Sequence, residues 1–425
     1  MKLKFLAVLV AITGTVGWRS SAQIYDTNNE VVQTFAGSGF SGYLDGVGQL
    51  TMFSNPSQIV ADSSSNLFVL DSGNARIRKI TPDGTVSTFA GGGTAGLPGY
   101  GTNVSISTWG IYSMAIDHSN ALWVTSGYNV LLRIGSDGYV SKTNFSGVSY
   151  SWGVCVDSGN SIYFSDYYGM KIYRYHQTNS FLEVFAGSGN LGSVDGNGIF
   201  TSFNYPTALA ADAADNIYVW DSDSFLIRRI DQNKNVTTIA GNGIYNNSSD
   251  GMGTNSGFAN VSGMCADSSG NIILDCFSSL GVSIRKMSPT TNVVTMAGSF
   301  TQNGFTNGAG NLARFKNAGG PTVQVVGGVC VSQGMVFVAD SGNQRIRQIS
   351  FNPQPQVVPN ANLGIGTFAG VTITGTVGRT YQVQSSTNMA TWNTVATVLL
   401  TSSPYLWIDQ NPVSGSKFYR AVMLP

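Results

Sequence analysis

Three adjacent segments, Ile59-Val-Ala-Asp62, Asn66-Leu-Phe-Val-Leu-Asp71 and Ala75-Arg-Ile-Arg-Lys-Ile80, decide how this 425-residue chain folds. Their apolar residues alternate or run in short blocks, punctuated by Ser, Asn, Gly and Asp, which is the pattern of three short antiparallel strands joined by turns. The pattern returns along the chain. The first-strand Asp62 recurs as Asp117, Asp157, Asp212 and Asp267, with Ser332 in the last copy, at intervals of 55, 40, 55, 55 and 65 residues. The second strand recurs at 121–125, 161–166, 217–221, 272–275 and 335–340, and the third at 130–134, 171–175, 226–230, 283–287 and 345–349.

A fourth strand ending in Ala-Gly, or degenerate around Tyr139, follows each of the first five units: 86–90, 139–141, 182–186, 236–240 and 293–297. The sixth unit lacks one, yet an orphan copy, Val31-Val-Gln-Thr-Phe-Ala36, precedes the first. The strands balance if that N-terminal segment joins the last unit. The expectation is an all-β, six-bladed β-propeller over residues 31–349, closed by its own N-terminal strand, which leaves no long unpaired edge.

Val86-Ser-Thr-Phe-Ala-Gly91, Leu44-Asp-Gly-Val-Gly48, Phe53-Ser-Asn-Pro56 and Asp71-Ser-Gly-Asn-Ala-Arg-Ile-Arg-Lys-Ile80 resemble the NHL-repeat family of β-propellers. Copies one, four, five and six carry the resemblance. Copies two and three depart from it: both lack the Asp-Gly turn, copy three is short, and Trp109 stands near the place of a Phe.

Composition sets the outer limits. Hydrophobic residues make up 42% of the chain and charged residues 10%, with 52 Gly and 12 Pro, so a large core is available and disorder and collagen are excluded. Lys+Arg and Asp+Glu both count 22. Because Lys2, Lys4 and Arg19 lie in a basic, apolar leader that ends at Ser20-Ser21-Ala22, residues 1–22 are expected to be a secretory signal and the mature chain to be slightly acidic. That balance excludes the basic footprint of a nucleic-acid binder. No later stretch has the apolar length of a transmembrane segment, so the expectation is a secreted, cell-surface or periplasmic protein.

Cys155, Cys265 and Cys330 share one repeat position with Val60, Ala115 and Ala210. A place that accepts Val, Ala or Cys is a small apolar core site, so these are read as buried free thiols rather than disulfide halves. Beyond the repeats, Asn352-Pro-Gln-Pro-Gln-Val-Val-Pro359 reads as a stiff linker, 350–360. Residues 361–425 alternate in five segments and resemble a fibronectin-like module, expected to be a small β-sandwich.

Function is sought in the long crossings from the outer strand of one unit to the inner strand of the next, since long loops on a rigid ring are where binding concentrates. The recurring Asp45-Gly, Asp195-Gly and Asp250-Gly pairs each bring one carboxylate where a calcium loop brings several, so they read as tight turns. Phe53, Phe203 and Phe258 then read as wedges between blades. Asp71 with Arg78, Asp221 with Arg228, Asp275 with Arg285 and Asp340 with Arg347 recur in four units. Recurrence suits ion pairs that stitch strands better than a catalytic group.

Several six-bladed propeller enzymes hold a divalent cation in the central tunnel with carboxylates, Asn or His, so a Ca²⁺-dependent, lactonase-like hydrolase or lyase is the competing reading. The residues entering the inner strands, Ser57-Gln58, Tyr112-Ser113, Trp152-Gly153, Thr207-Ala208, Ser262-Gly263 and Gly327-Gly328, contain no carboxylate or His. The chain has only His118 and His176, which argues against a His-based metal or nucleophile system. Gly91-Gly-Gly93 and Gly187-Ser-Gly189 follow strands without opening helices, so they are read as loop glycines rather than phosphate cradles. No catalytic residue, cofactor or metal is called. What remains is aromatic: Tyr100, Trp109, Tyr112, Tyr150, Trp152 and Tyr205. With neighbouring Asn and Ser they suit an extracellular or cell-envelope glycan or protein, unless they only pack the loops together.

Overall fold

The structure, a computed structural model, describes residues 30–106, 111–317, 327–351, 370–373, 376–401, 405–408 and 418–424. Residues 1–22, expected to be a secretory signal, most of the Pro-rich segment 350–360 and Trp109 lie outside them. The chain divides into two compact units, Ser21–Gln354 and one containing Pro355–Pro425.

Among the described residues the larger unit shows six antiparallel sheets of four or five strands. Their inner strands are Pro56–Ala61, Ser113–Ile116, Ser151–Val156, Pro206–Ala211, Val261–Ala266 and Val329–Ser332. Each touches the next in chain order and the last touches the first, which makes a closed circuit around one axis. This is a propeller-like arrangement. The N-terminal strand Glu30–Ala36 lies in the last sheet against Arg345–Phe351, with Val32 opposite Ile349 and Thr34 opposite Arg347.

Apolar faces of neighbouring sheets form the core. Phe53, Phe203 and Phe258 are fully buried; Phe53 packs with Ile59 and Val69 of its own sheet and with Phe337 and Ile346 of the preceding one. Burial of such a ring is worth about 1.5–3 kcal/mol. Cys155, Cys276 and Cys330 are buried, Cys265 is partly so, and all four are free thiols.

Five sheets carry a fifth strand of two residues, such as Gly46–Val47 beside Thr85–Val86, that is additional to the four strands expected per unit. In the first, fourth and fifth sheets an Asp-Gly turn leads into it. Asp45 accepts from the Thr88 backbone N–H at 3.2 Å and from Arg78 Nη2 at 2.5 Å, which anchors the segment along the outer edge. The turn carboxylate is thus part of the ion pair. Arg78 is fully buried and binds Asp71 at 2.8 Å as well; Arg228 bridges Asp221 at 3.0 Å and Asp195 at 2.6 Å. In the last sheet Asn307 takes the turn position and Arg347 binds it and Asp340, each at 2.8 Å.

One expected pair is corrected. Arg285 binds Asp250 at 2.9 Å and the carbonyls of Gly257 and Ser249, both at 2.6 Å, but not Asp275. The register gives the reason. Arg78 faces Val69, two residues before Asp71, whereas Arg285 faces Leu274, so Cys276 occupies the Asp71 position and Asp275 points the other way.

In the C-terminal unit, Gly370–Ile373 pairs with Tyr405–Ile408, and Thr380–Ser386 lies between Asn393–Leu399 and Phe418–Met423. Ile373, Tyr381, Val383, Val398 and Leu400 form its small core. Among the described residues no helix is long and apolar enough to cross a membrane.

Candidate functional site

The crossings bring the start of each inner strand to the mouth of the central channel, where the third sheet differs most from its neighbours. In the first and fourth sheets the second-strand Asp binds both a buried Arg and a crossing-loop N–H, Ser54 to Asp71 at 2.7 Å and Asn204 to Asp221 at 2.5 Å. In the third sheet, Tyr173 stands in the place of Arg78 and gives its hydroxyl to the Gly147 carbonyl at 2.8 Å. Asp166 then serves the loops alone, accepting from the N–H groups of Ser149, Tyr150 and Gly169 at 2.8–3.0 Å. That carboxylate fixes the backbone on which Tyr150 sits.

Of the six aromatic residues picked from the sequence, four come together. Tyr112 stacks on Trp152 at 4.0 Å with 25° between the planes. Its hydroxyl is 2.6 Å from that of Tyr150. Burial and this hydrogen bond push the Tyr112 hydroxyl well above its usual range, so it stays protonated as donor or acceptor. Tyr205 joins through Tyr167, which is 4.8 Å from both Tyr205 and Trp152. Tyr100 does not belong: it lies on the outermost short strand, Gly99–Tyr100, beside Tyr139 at 4.8 Å. Its place follows from strand pairing at the outer edge, as in the corresponding Gly-initiated segments of other sheets.

Three rings absent from the sequence-based set complete the cluster. Tyr167 links Trp152 to Tyr205, while Tyr128 and Tyr168 meet Tyr150 edge-on at 5.8 and 5.4 Å. A signal for two of them existed. Asp166-Tyr167-Tyr168-Gly169 replaces the Asp-Ser-Gly or Asp-Ser-Asp found after the second strand in copies one, four and six.

The stack changes which faces are free. Tyr112, Trp152, Tyr167 and Tyr205 form a run of rings with 25–35° between successive planes. With one ring at 4.0 Å and another at 4.8 Å, the Trp152 indole is already faced by protein. Each such contact is worth ~0.5–1.5 kcal/mol beyond area, so the run is foremost a packing device. The accessible rings are Tyr128 and Tyr168, 69% and 61% exposed. Tyr128 has φ 49°, but Ala75, Met170, Phe225 and Gln344 share that left-handed conformation at the matching turns, so it belongs to the fold.

Hydroxyl groups hold the inner strands in register behind the cluster. Thr125 donates to the Trp152 carbonyl, and Ser165 to the Thr207 carbonyl at 2.8 Å. A recess at the channel mouth is lined by Gln58, Tyr112, Trp152, Thr207, Ser222 and Asn260, with Ser262 beside them. These supply amide and hydroxyl groups but no carboxylate, imidazole or amine. Below it lies a channel cavity of about 330 Å³. Among the described residues no group of three or more His, Cys, Asp or Glu is placed to hold a metal.

No protein-family model matches the chain. A curated relative, the chloroplastic protein Suppressor of Quenching 1 of Arabidopsis thaliana, is 26% identical over 329 residues. The match covers 74% of this chain but only 27% of that protein's length. Among solved structures, a Bacteroides thetaiotaomicron protein of unknown function aligns with TM-score 0.58 at 17% identity, over 76% of each chain. An auxiliary nutrient binding protein of the same organism aligns with TM-score 0.58 at 16% identity, over 76% of this chain and 77% of that one. At such identities the likeness is one of fold.

Proposed function

We propose that the chain is a secreted, non-catalytic binding or scaffold protein that presents the mouth of a six-bladed NHL-type propeller, residues 31–349, to an extracellular or cell-envelope glycan. In this reading residues 1–22 are a signal peptide, and 361–425 form a fibronectin-like sandwich that acts as a spacer or second attachment point. The observation that carries it is the chemistry of the mouth. The exposed rings of Tyr128 and Tyr168 meet Tyr150, which is hydrogen-bonded to Tyr112, and Tyr112 and Trp152 line a recess with Gln58, Thr207, Ser222 and Asn260 whose lining holds no carboxylate, amine or imidazole. Neutral sugars offer apolar ring faces and hydroxyls, which aromatic rings and amides complement without burying an unpaired charge. The fold likeness to an auxiliary nutrient binding protein fits this reading.

The hydrolase or lyase reading has less support. The carboxylates it would recruit from the crossings, Asp45, Asp195 and Asp250, are each held by a buried Arg.

The test is a glycan array and an envelope-extract pull-down with the mature chain. Tyr128→Ala with Tyr168→Ala is expected to weaken the selected ligand about tenfold, near 1.4 kcal/mol, while the protein stays folded at the assay temperature. Tyr100→Ala is expected to leave binding unchanged. Retention of no glycan by the array or the extract, or equal affinity in the double variant, overturns the assignment.

A further inference from the structure

In five of the six sheets the outer strand is covered, and always in the same way. Gly46 lies opposite Val86, Gly196 opposite Val236 and Gly251 opposite Val293, and the two other covers repeat the pairing of glycine with valine. Each of those valines is buried. The backbone groups that face outward are taken as well. The Gly84 carbonyl accepts from the Gly48 N–H at 2.9 Å, and the Thr88 N–H is held by Asp45. In the fourth sheet the Lys234 carbonyl accepts from the Gly198 N–H at 2.9 Å, and the Thr238 N–H donates to Asp195 at 3.0 Å.

The third sheet has no cover, and its outer strand, Phe181–Ala186, forms the margin. Chain length is the reason. The crossing that would supply a fifth strand is residues 145–150, in the copy spaced 40 residues from its predecessor. Fully extended it reaches about 20 Å, which the return from a fifth strand to an inner one, at about 4.8 Å per strand, uses up alone. Leu182 therefore stands half-buried where the five valines are buried, and Phe181 is 53% exposed. Tyr173 pairs with Val184 after a bulge, as Arg78 does with Thr88, so the same alternation turns the Ser180 carbonyl, both backbone groups of Leu182 and the Val184 N–H outward. Among the described residues no other segment takes them.

We propose that this margin is a docking site for an extended segment of a partner protein, which adds antiparallel as a fifth strand and carries an acidic residue followed by a small one. Sheet edges that a fold leaves bare are ordinarily blunted by Pro, Lys or a projecting charge. Here the strand offers Phe181 and Leu182, and its one charge, Glu183, is tied to Arg174, His176 and Lys234. In strand addition the main-chain bonds supply affinity and the flanking side chains supply specificity. The small residue is set by the glycines that occupy this place in the other sheets. The acidic one is set twice. Asp45, Asp195 and Asp250 receive the outward N–H that Val184 leaves open, and Arg174 with Lys234 outnumber the carboxylate between them. A second copy fits less well, since pairing Leu182 with Val184 of its twin sets the two Glu183 side chains directly opposite each other. The margin shares no residue with the recess at the mouth, so the inference is independent of the glycan reading.

The probe is a fluorescein-labelled peptide copying the cover of the fourth sheet, Gly192-Ser-Val-Asp-Gly-Asn-Gly-Ile-Phe-Thr201, whose anisotropy is followed on titration with the full mature chain. Saturable one-to-one binding is expected, about tenfold weaker in Val184→Pro, because proline removes an N–H that faces solvent and is tolerated at such an edge. A peptide with Asp195→Lys is expected to bind about fivefold less tightly, and Tyr128→Ala with Tyr168→Ala to leave binding unchanged. No saturable binding, equal affinity for both peptides, or a loss in the tyrosine double variant as large as in Val184→Pro overturns the proposal. A chain that sediments as a dimer, and as a monomer in Val184→Pro, assigns the margin to a second copy and overturns it too. Should Val184→Pro not fold, hydrogen exchange on the unaltered chain decides. The peptide is expected to slow exchange of the Leu182 and Val184 amides about tenfold, and unchanged rates overturn the proposal.

Discussion

The sheet that begins at Pro56 and the sheet that begins at Ser151 solve one problem with different chemistry. Both must hold a long crossing against the end of the second strand. The first uses a buried guanidinium between two carboxylates, Asp71 and Asp45. The other has Tyr173 in that place, has no fifth strand, and fixes its loops with Asp166 and stacked rings. The second sheet also lacks the guanidinium, with Leu132 opposite Val124. Where the ion pair is absent the crossings become aromatic. The regular sheets therefore hold their crossings by buried ion pairs, and the irregular ones hold theirs by aromatic packing.

Breaking the ionic side of this contrast gives the largest expected effect. Arg228→Ala leaves Asp221 buried without its partner and should cost ~3–5 kcal/mol, read as a large drop in melting temperature.

A second effect depends on pH. Burial raises Asp221 to about 6 against its pairing with Arg228, and raises Asp275 to about 7 with Asp340 as a like-charged neighbour. Both pKa values are higher folded than unfolded, so the folded state holds extra protons between the two. The contribution is fully present below about pH 4, the ordinary carboxyl value, and is lost as pH rises toward 7, beyond which it is flat. Stability should fall across that interval. Asp275→Asn removes one titrating group, so its melting temperature should exceed that of the unaltered protein at pH 8 and converge with it at low pH. Equal pH profiles would show that Asp275 is not proton-loaded.

The smallest effect sharpens the aromatic side. Tyr173→Phe removes one hydroxyl bond to Gly147 and should cost ~1 kcal/mol in denaturant unfolding. A loss as large as that of Arg228→Ala would mean that the two anchoring schemes are equivalent in strength.

The repeat was legible because strand alternation and turn chemistry recur locally, and the pairing of Glu30–Ala36 with Arg345–Phe351 followed from counting strands. The ion pairs were legible for Asp71 and Asp221, nine residues beyond Asp62 and Asp212, and for Asp340, eight beyond Ser332 because the turn between its first two strands is one residue shorter. Asp275 is eight residues beyond Asp267, and that one-residue difference turns its side chain to the opposite face, as the period of two in a strand requires. What the sequence did not disclose is tertiary. That Trp152 would be faced by Tyr112 and Tyr167, leaving Tyr128 and Tyr168 as the open rings, depends on how loops from different sheets meet. No local periodicity encodes that meeting.

The junction of Glu30–Ala36 with Arg345–Phe351 also bears on biosynthesis. Residues more than three hundred positions apart must find each other, so a growing polypeptide cannot finish the circle until its latest strand has emerged, and until then two sheet edges stay open. Any truncation that ends before Arg345 makes this condition permanent. Such fragments should therefore be captured by chaperones or aggregate through those edges, rather than accumulate as smaller soluble rings.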